Sequence, residues 1–546
     1  MRATSEIAMS GFRKPQLGRD ELYLFPPTVE EFVGPMARVR SFDEILSHAR
    51  FRKVFDGWAE RYVLVEGRPP YHPRHLAALY FYGAMEGILS SRKLEAACRT
   101  RIDVKWLMEG LTPDHSTIAA FLKVHADALD QLFKEVLVVA SEMGLLKLQH
   151  VAVDGTKLEA NASGSSVKSQ GEIEKLLQAC EEEVKRLREQ WLENEACDQR
   201  LFDDEEDEPL KEPARLRRAE ARRQKMNATL EAIAKRRNEA SRPKDASDRG
   251  SVTDRDSRFM KDKKGRFAPG YNVQIAVDAE AGIIAATEVN DQADDSGLLG
   301  RMVDEVAENS GSLPEKVSAD TAYNVGHDLQ ALEKAGVVVY VPEQSNGKAR
   351  TTKSKEALEA LKRGEMLTEE QWKVVPRGRN GKLGRNAFEY DEEQDVYRCP
   401  RGEVLSPFGI SKDSHRYGVS RRTRYRVKKG ACSECPFAKH CCSDPKRGRT
   451  LSRDGFEDSR KQVRERMATE EGRETYAQRA PLAETPSGFL KANLGISRFL
   501  RRGFDGVRAE NHVIWIAYNL RIMVKHALRL AAACERKAPR LALDSG

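Results

Sequence analysis

The chain has 546 residues, of which 40% are hydrophobic and 32% charged, and its net charge is +7 from 92 basic and 85 acidic side chains. This length exceeds what one hydrophobic core organises, and no apolar run is long enough to cross a bilayer, so we expect several folded units and no membrane partner. Residues 1–15 lack the charge and apolar pattern of a secretory signal, which predicts a cytoplasmic protein with reduced thiols.

An all-α domain is predicted over residues 38–145, after an N-terminal tail of residues 1–37. Pro73–Met85 has the pattern of one helix. Another follows the cap-like cluster Thr112–Asp114 and carries one apolar face from Ile118 to Leu137. The domain is therefore predicted to be a small helical bundle.

A mixed α/β (α+β) sheet domain is predicted next, over residues 146–164 and 251–345. Its strands have β-branched runs or alternate apolar and polar residues, and its helices have apolar faces. The predicted order is strands 148–154, 271–278 and 283–289, helix 296–308, strand 316–320, helix 328–335 and strand 337–341. This order indicates a mixed sheet flanked by helices.

A charged helical hairpin is predicted within this domain, over residues 165–250. Ile173, Leu177, Cys180, Val184, Leu187 and Trp191 form a heptad seam, and the acidic run 203–208 turns the chain. A returning basic helix then packs against the seam. A spacer or self-association arm is the favoured interpretation, and direct DNA contact is the alternative.

A basic, cysteine-rich insertion is predicted over residues 346–455. As a strand, Arg421–Lys429 presents Arg422, Arg424, Arg426 and Lys428 on one face, which suits a phosphate backbone. Cys399, Cys432, Cys435 and Cys441 supply four thiolates for a closed, structural, zinc-ribbon-like site, with His440 or Cys442 as replacements for Cys441. Unmetallated thiols remain the alternative.

Two aspartates follow apolar strands of the sheet domain. Asp154 and Asp320 are each predicted at a strand end, and their carboxylates project from the same sheet edge if the strands are parallel and adjacent. Alone, such an aspartate is more often a turn former. The pair makes half a metal site and needs a third partner.

A family resemblance supplies that partner. Val151–Thr156, Asp256–Lys261 with Gly270–Gln274, and Ala319–Asn324 resemble successive motifs of DDE-type transposases of bacterial insertion sequences. Tyr476, Arg479, Glu484 and Lys491 fit that family's last motif. The resemblance covers nearly the whole chain and implies a ribonuclease-H-like catalytic fold, completed by residues 456–530 and followed by a tail, 531–546.

The resemblance implies roles for these residues. Asp154, Asp320 and Glu484 would hold two Mg²⁺ or Mn²⁺ ions, and Tyr476, Arg479 and Lys491 would contact DNA. Arg501 and Arg502, with Arg498 nearby, form a further basic cluster. The chain departs from the family in Thr485–Ser487, where proline comes two residues after the glutamate, so Glu510 is kept as a reserve third carboxylate.

The implied activity is cleavage at the ends of an insertion sequence and transfer of the freed 3′-OH into target DNA. Its partners are then double-stranded DNA, as terminal inverted repeats and target, and a second copy of the chain that helps to pair the two ends. Alternatives are a DNA-binding regulator that has lost cleavage, and a ribonuclease-H-like nuclease without strand joining. A structural coiled-coil protein is a third, against which the acidic strand motifs argue.

Overall fold

The computed structural model describes residues 28–62, 69–201, 212–239, 248–261, 265–343, 351–378 and 380–537, with side chains not described at 195–201, 239 and 535–537. The predicted acidic turn 203–208 and most of both predicted tails lie outside these residues. The chain folds as two compact units, residues 1–128 with 523–546, and residues 129–522. Within the described segments, no helix is both long and apolar enough to span a membrane.

The first unit is helical, as predicted. Its helices are α1 (Val29–Phe32), α2 (Arg38–Leu46), α3 (Ala49–Ala59), α4 (Pro73–Met85), α5 (Ser91–Thr100), α6 (Ile102–Leu107) and α7 (His115–Val124). The predicted bounds of α4 are confirmed, and every residue of this helix is buried except Arg74 and His75, which are partly exposed. The hydroxyl of Tyr80 donates to the carbonyl of Ile118 at 2.8 Å and joins α4 to α7.

The single long helix predicted after Asp114 is wrong, because α7 ends at Val124. A 3₁₀ turn, Ala126–Ala128, separates it from α8 (Leu129–Glu142), which begins the second unit. The break falls at His125, whose ring is fully buried and stacks on Trp58 with centroids 4.8 Å apart. The apolar residues of two separate helices, α7 and α8, therefore have in the sequence the spacing of one continuous apolar face.

The second unit is built on a mixed sheet. Its elements up to residue 343 are α8, β1 (His150–Glu159), β2 (Val167–Ser169), α9 (Gln170–Leu201), α10 (Ala214–Glu239), β3 (Arg249–Ser251), β4 (Arg258–Lys261), β5 (Phe267–Asp278), β6 (Ile284–Asn290), α11 (Leu299–Ser310), β7 (Lys316–Ser318), α12 (Gly326–Lys334) and β8 (Val338–Tyr340). The order β1, β5, β6, α11, β7, α12, β8 is the predicted one.

Strand β1 lies at the centre of this sheet. It pairs antiparallel with β5 and parallel with β7; β6 and β4 pair with β5, and β8 continues the parallel part beside β7. The predicted end of the first strand at Asp154 is wrong. Because β5 is long, antiparallel pairing continues to Glu159↔Gly270, whereas the parallel partner β7 stops at Ser318.

Helices α9 and α10 of the helical insert pack against each other. Ile173 and Leu177 of α9 pack with Met226, Leu230 and Ile233 of α10. Farther along, Val184, Leu187 and Trp191 pack with Leu216 and Ala219. The heptad seam is therefore buried between the two helices of the same chain.

The cysteine-rich region has its own five-stranded antiparallel sheet, in the order β13-β12-β11-β10-β9. Its elements are α13 (Thr352–Lys362), α14 (Glu369–Val374), β9 (Glu389–Asp391), β10 (Val396–Arg398), β11 (Val404–His415), β12 (Gly418–Val427), α15 (Ala438–Cys441) and β13 (Thr450–Asp454). Its small core includes Trp372, Phe437 and Tyr425.

The unit ends in helices that return to the first sheet. These are α16 (Glu457–Ala468), α17 (Glu470–Ala477), α18 (Arg479–Gly488), a π-helical turn Phe489–Asn493, and α19 (Gly503–Lys537), which from Met523 belongs to the first unit. The Asn519 carboxamide bonds both backbone groups of Ile284, at 2.8 and 2.9 Å. These bonds fix α19 on β6.

Candidate active site and nucleic-acid surface

Asp154 lies on β1, and Asp320 lies just beyond the end of the neighbouring parallel strand β7. Ala152 and Ser318 are register partners, and Asp154 and Asp320 each follow two residues later. The backbone at Asp320 is still extended, so both aspartates follow the last register pair at the same end of the parallel strands. Asp320 also caps the 3₁₀ turn Thr321–Tyr323, its carboxylate accepting from the N–H of Ala322 at 2.8 Å.

The C-terminal helices bring motif residues to Asp154. The Arg479 guanidinium, on α18, lies 2.9 Å from the Asp154 carboxylate, and both side chains are largely buried. Burial raises the pKa of Tyr476. The Arg479 charge opposes this shift, and the charges of Asp320 and Asp154 add to it. On the π turn, the Lys491 ammonium donates to the Thr156 hydroxyl at 2.5 Å. Three of the four motif residues therefore surround β1.

Glu484 is the fourth. It is exposed on α18, and its carboxylate makes no hydrogen bond or ion pair within the part of the chain that the structure describes. Pro486 neither starts nor ends α18 but is buried two residues before its end, ahead of the π turn. Among the described residues, no group of three or more His, Cys, Asp or Glu side chains is arranged to hold a metal ion.

A polar network lies on the other face of β1, beneath Gly155. Asp295 accepts from the carboxamides of Asn272 and Gln274, at 2.8 and 2.7 Å. The Tyr323 hydroxyl donates to Gln274. Burial, followed by the charges of Asp295, Asp154 and Asp320, raises the pKa of Tyr323 well above its ordinary value, so this phenol stays protonated and a donor. The network ties the turn that begins at Asp320 to the strand beside Asp154.

Glu510, the reserve carboxylate, is 4% exposed and already bonded. It accepts from the backbone N–H groups of Leu500, at 2.9 and 3.0 Å, and Arg501, at 2.9 Å. Burial raises the pKa of Glu510, and these two N–H groups oppose that shift. Its oxygens therefore hold the loop before α19 in place.

Two family descriptions match the chain. "Transposase DDE domain" matches residues 398–524, which include the Tyr476–Lys491 motif, and "Transposase domain (DUF772)" matches residues 27–124 of the helical unit. The chain belongs to the DDE-type transposases of insertion sequences. This membership places the transposase in DNA transposition, and DNA is its partner. No curated protein matches the chain.

The predicted basic strand of the transposase is confirmed as β12. Arg422, Arg424 and Arg426 are exposed, whereas Tyr425, which precedes Arg426, and Val427, which follows it, are buried. Arg422 pairs with Asp413 at 2.6 Å, so its charge is balanced locally. Arg424 and Arg426 instead lie over the Phe408 ring, at 5.4 and 4.0 Å from its centroid.

The second predicted basic cluster is mostly engaged with the protein. Arg498 pairs with Glu159 at 2.7 Å, and Arg502 donates to the carbonyl of Asn161 at 2.8 Å. The Arg501 backbone N–H is one of the donors to Glu510. These contacts join the loop before α19 to the end of β1, and Arg502 itself remains exposed.

The five clustered cysteines are brought together by the second sheet. Cys432, Cys441 and Cys442 are buried in its core, and Cys399 and Cys435 pack against them. The neighbouring Cys441 thiol and burial raise the pKa of Cys442. Burial raises the pKa of Cys399, and the nearby Cys435 and Cys432 raise it further. The Cys399 sulfur accepts from the N–H of Arg401 at 3.3 Å.

Sequence reasoning missed Asp295, Gln274 and Tyr323. Gln274 and Tyr323 stood inside segments that carried the family resemblance, but only Asp320 was singled out there. Asp295 precedes α11 within Asp294–Gly297, a composition typical of an ordinary helix start. The sequence signal for this network was the alternation of the polar residues Asn272 and Gln274 with apolar residues in a central strand. Both polar side chains are buried on β5.

Proposed function

We propose that the transposase cleaves DNA at the ends of its element and joins the freed 3′-OH to target DNA, using Asp154, Asp320 and Glu484. The observation that carries this proposal is the placement of Asp154 and Asp320 after the last register pair at the same end of the parallel strands, with Arg479 of the last motif bonded to Asp154. The sheet, with β1 between antiparallel β5 and parallel β7, supports a ribonuclease-H-like core.

The donor set fits Mg²⁺ or Mn²⁺, because carboxylate oxygens are the ligands that these hard cations prefer. Asp154, Asp320 and Glu484 would hold two such ions. When bound, the ions would activate the attacking oxygen and stabilise the leaving oxygen of the phosphodiester. Glu484 is exposed on α18, so it is accessible to complete the set.

Arg479 and Lys491 would supply positive charge at the active site. Arg479 balances the Asp154 carboxylate, and its Nε–H is buried without a hydrogen-bond partner among the described residues. An unused guanidinium donor beside the reacting centre suits a phosphate oxygen of the DNA. Lys491, held at Thr156, would provide a second cation along the same strand, and Tyr476 would contact the flanking backbone.

The residue types of the cysteine cluster suit one structural zinc ion, although the described side chains are not arranged as a set of metal ligands. We infer that Cys399, Cys432 and Cys435 supply three thiolates and that Cys441 or Cys442 supplies the fourth. The turns at Cys399–Gly402 and Cys432–Cys435 each close with a backbone hydrogen bond, as metal-binding knuckles do. Such an ion would stabilise the sheet that carries Arg424 and Arg426.

Because two element ends must be paired, each at an active site, the active form is proposed to be a homodimer on DNA. We propose that it acts in the cytoplasm, where the element resides. The helical unit, which matches a transposase domain, would contribute further DNA contacts. The hairpin α9–α10 is a spacer or self-association arm in this proposal.

The test is metal-dependent nicking of a DNA fragment that carries the element's own terminus. Asp154→Asn, Asp320→Asn and Glu484→Gln should each abolish nicking and retain binding, whereas Glu474→Gln, an exposed control on α17, should cut normally. Binding without nicking by the wild-type chain would favour a regulator. Nicking that survives only in Glu484→Gln would remove Glu484 from the triad.

A further inference from the structure

Two pockets lie at the cysteine-rich sheet, and one of them extends to residues outside the cysteine-rich region. The hairpin pocket, about 480 Å³, is lined by Phe408, Arg424, Arg426 and Arg449 among others. The helix pocket, about 580 Å³, is lined by Asn324, Arg453, Arg460 and Arg464 among others. Arg385 lines both. The two pockets therefore adjoin at this side chain.

Positive charge dominates the walls of both pockets. Four arginines line the helix pocket and three more line the hairpin pocket, against two glutamates, both in the helix pocket. In the hairpin pocket, Arg424 and Arg426 stack on Phe408, and Arg449 donates to the carbonyls of Leu383 and Cys441, at 2.7 and 3.0 Å. Among the residues that the structure describes, no carboxylate lines this pocket to balance them.

The arginines of the helix pocket share carboxylate partners. Glu457 contacts three guanidiniums, those of Arg385 at 2.7 Å, Arg460 at 3.2 Å and Arg464 at 3.5 Å. Arg460 also pairs with Asp454 at 2.7 Å, and Arg464 also pairs with Glu343. Arg464 keeps 46% and Arg385 34% of the side chain exposed. A partly exposed guanidinium fork is suited to a polyanion, because it can bind a phosphate with two hydrogen bonds.

The helix pocket reaches the loop of the second aspartate. Asn324 in its wall ends the 3₁₀ turn that Asp320 begins, and the Asn324 carboxamide is fixed by the carbonyls of Val341 and Pro342, at 3.2 and 3.3 Å. The opposite end of the arginine row, Arg424 and Arg426, lies on β12. A chain of phosphates bound along this row would thus lead from the basic hairpin to the Asp320 loop.

We propose that the two pockets form one track for the backbone of a DNA strand, with Arg385 at the junction. That the bound strand is DNA depends on the proposed function, whereas the track itself is inferred from the arginines that line the two pockets. Backbone contacts position DNA without reading its sequence, so the track sets where the strand lies relative to Asp320.

Arginine substitutions at the two ends test the track. Affinity of the full-length protein for a labelled element end is measured without added magnesium, over a series of salt concentrations. Arg426→Ala and Arg464→Ala should each weaken binding and lower the salt slope by about 0.9, and the double variant by about 1.8, as expected for one phosphate per residue. Arg464→Lys should restore most of the slope. Arg447→Ala, which removes an 86% exposed charge outside both pockets, should change neither.

Three results would overturn the track. Equal losses in Arg447→Ala and Arg464→Ala would indicate only general charge attraction. A loss confined to Arg426→Ala would end the DNA site at the hairpin. Displacement of DNA by a free deoxynucleotide, with unchanged salt slopes in the variants, would indicate a nucleotide pocket. A wild-type chain that binds with the predicted slopes but never nicks DNA would instead refute the proposed function and leave the track standing.

Discussion

At Gly155, directly after the first aspartate, the absence of a side chain leaves room for the polar network below β1. A Cβ at this position would lie 2.5 Å from both the Asp295 carboxylate oxygen and the Gln274 carboxamide nitrogen. Gly155→Ala must therefore displace these groups or the strand, at a cost of about 1–3 kcal/mol in the free energy of unfolding. Because Asp154 would shift with the strand, we expect DNA nicking to fall by on the order of 100-fold.

Chemical denaturation and the nicking assay measure the two effects. Gly164→Ala is the matched control, since nothing lies within 4 Å of its added Cβ, and it should change neither value appreciably. A Gly155→Ala protein with unaltered stability and activity would show that the Asp295 network moves freely and does not position Asp154.

At the scale of elements, the buried His125 that follows α7 predicts that the helical unit loses stability in acid. Burial, and after it the Arg61 charge, lowers the pKa of His125 to about 4. The unfolded chain, with an ordinary His pKa of about 6.5, binds more protons than the folded chain between these values. Stability should therefore fall as the pH falls from about 6.5 to about 4, by up to about 1.4 kcal/mol per pH unit, and level off below.

Hydrogen exchange of peptides from α4 and α7, corrected for the intrinsic effect of pH, measures this local stability. His125→Phe keeps a ring against Trp58 but cannot titrate, so its exchange should lose the predicted slope. His115→Gln, which removes a half-exposed histidine from the same helix, should retain it. Identical slopes in the wild-type protein and His125→Phe would assign the acid sensitivity to other groups.

The same elements show what the sequence could predict. Period and composition predicted the order of the main strands and helices and the seam of the hairpin α9–α10, since both depend on local apolar spacing. They could not predict that β1 continues to Glu159, because that depends on the length of β5, more than 100 residues away in sequence. The bonding of Glu510 and Asp295 likewise depends on partners brought together only by the fold.

At the scale of the whole molecule, the cysteine cluster lies in and against the core of the second sheet. We therefore predict that the stability of this sheet depends on a bound metal ion. Purified transposase should contain about one zinc ion per chain, because four thiolates bind this ion tightly in reduced surroundings. Cys432→Ser should lose the ion and lower the thermal stability of the second sheet. Cys534→Ser, an exposed cysteine far along α19, should retain full zinc.

The fourth ligand is decided by comparing Cys441→Ser with Cys442→Ser. The Cys442 thiol contacts that of Cys432, so Cys442→Ser should lose more zinc than Cys441→Ser if it completes the site. Metal content by mass spectrometry and titration of free thiols give the answer together. Because Arg424 and Arg426 lie on this sheet, zinc loss should also reduce the salt slope of DNA binding. Five freely reactive thiols and no zinc in the wild-type protein would show that hydrophobic packing alone holds the sheet.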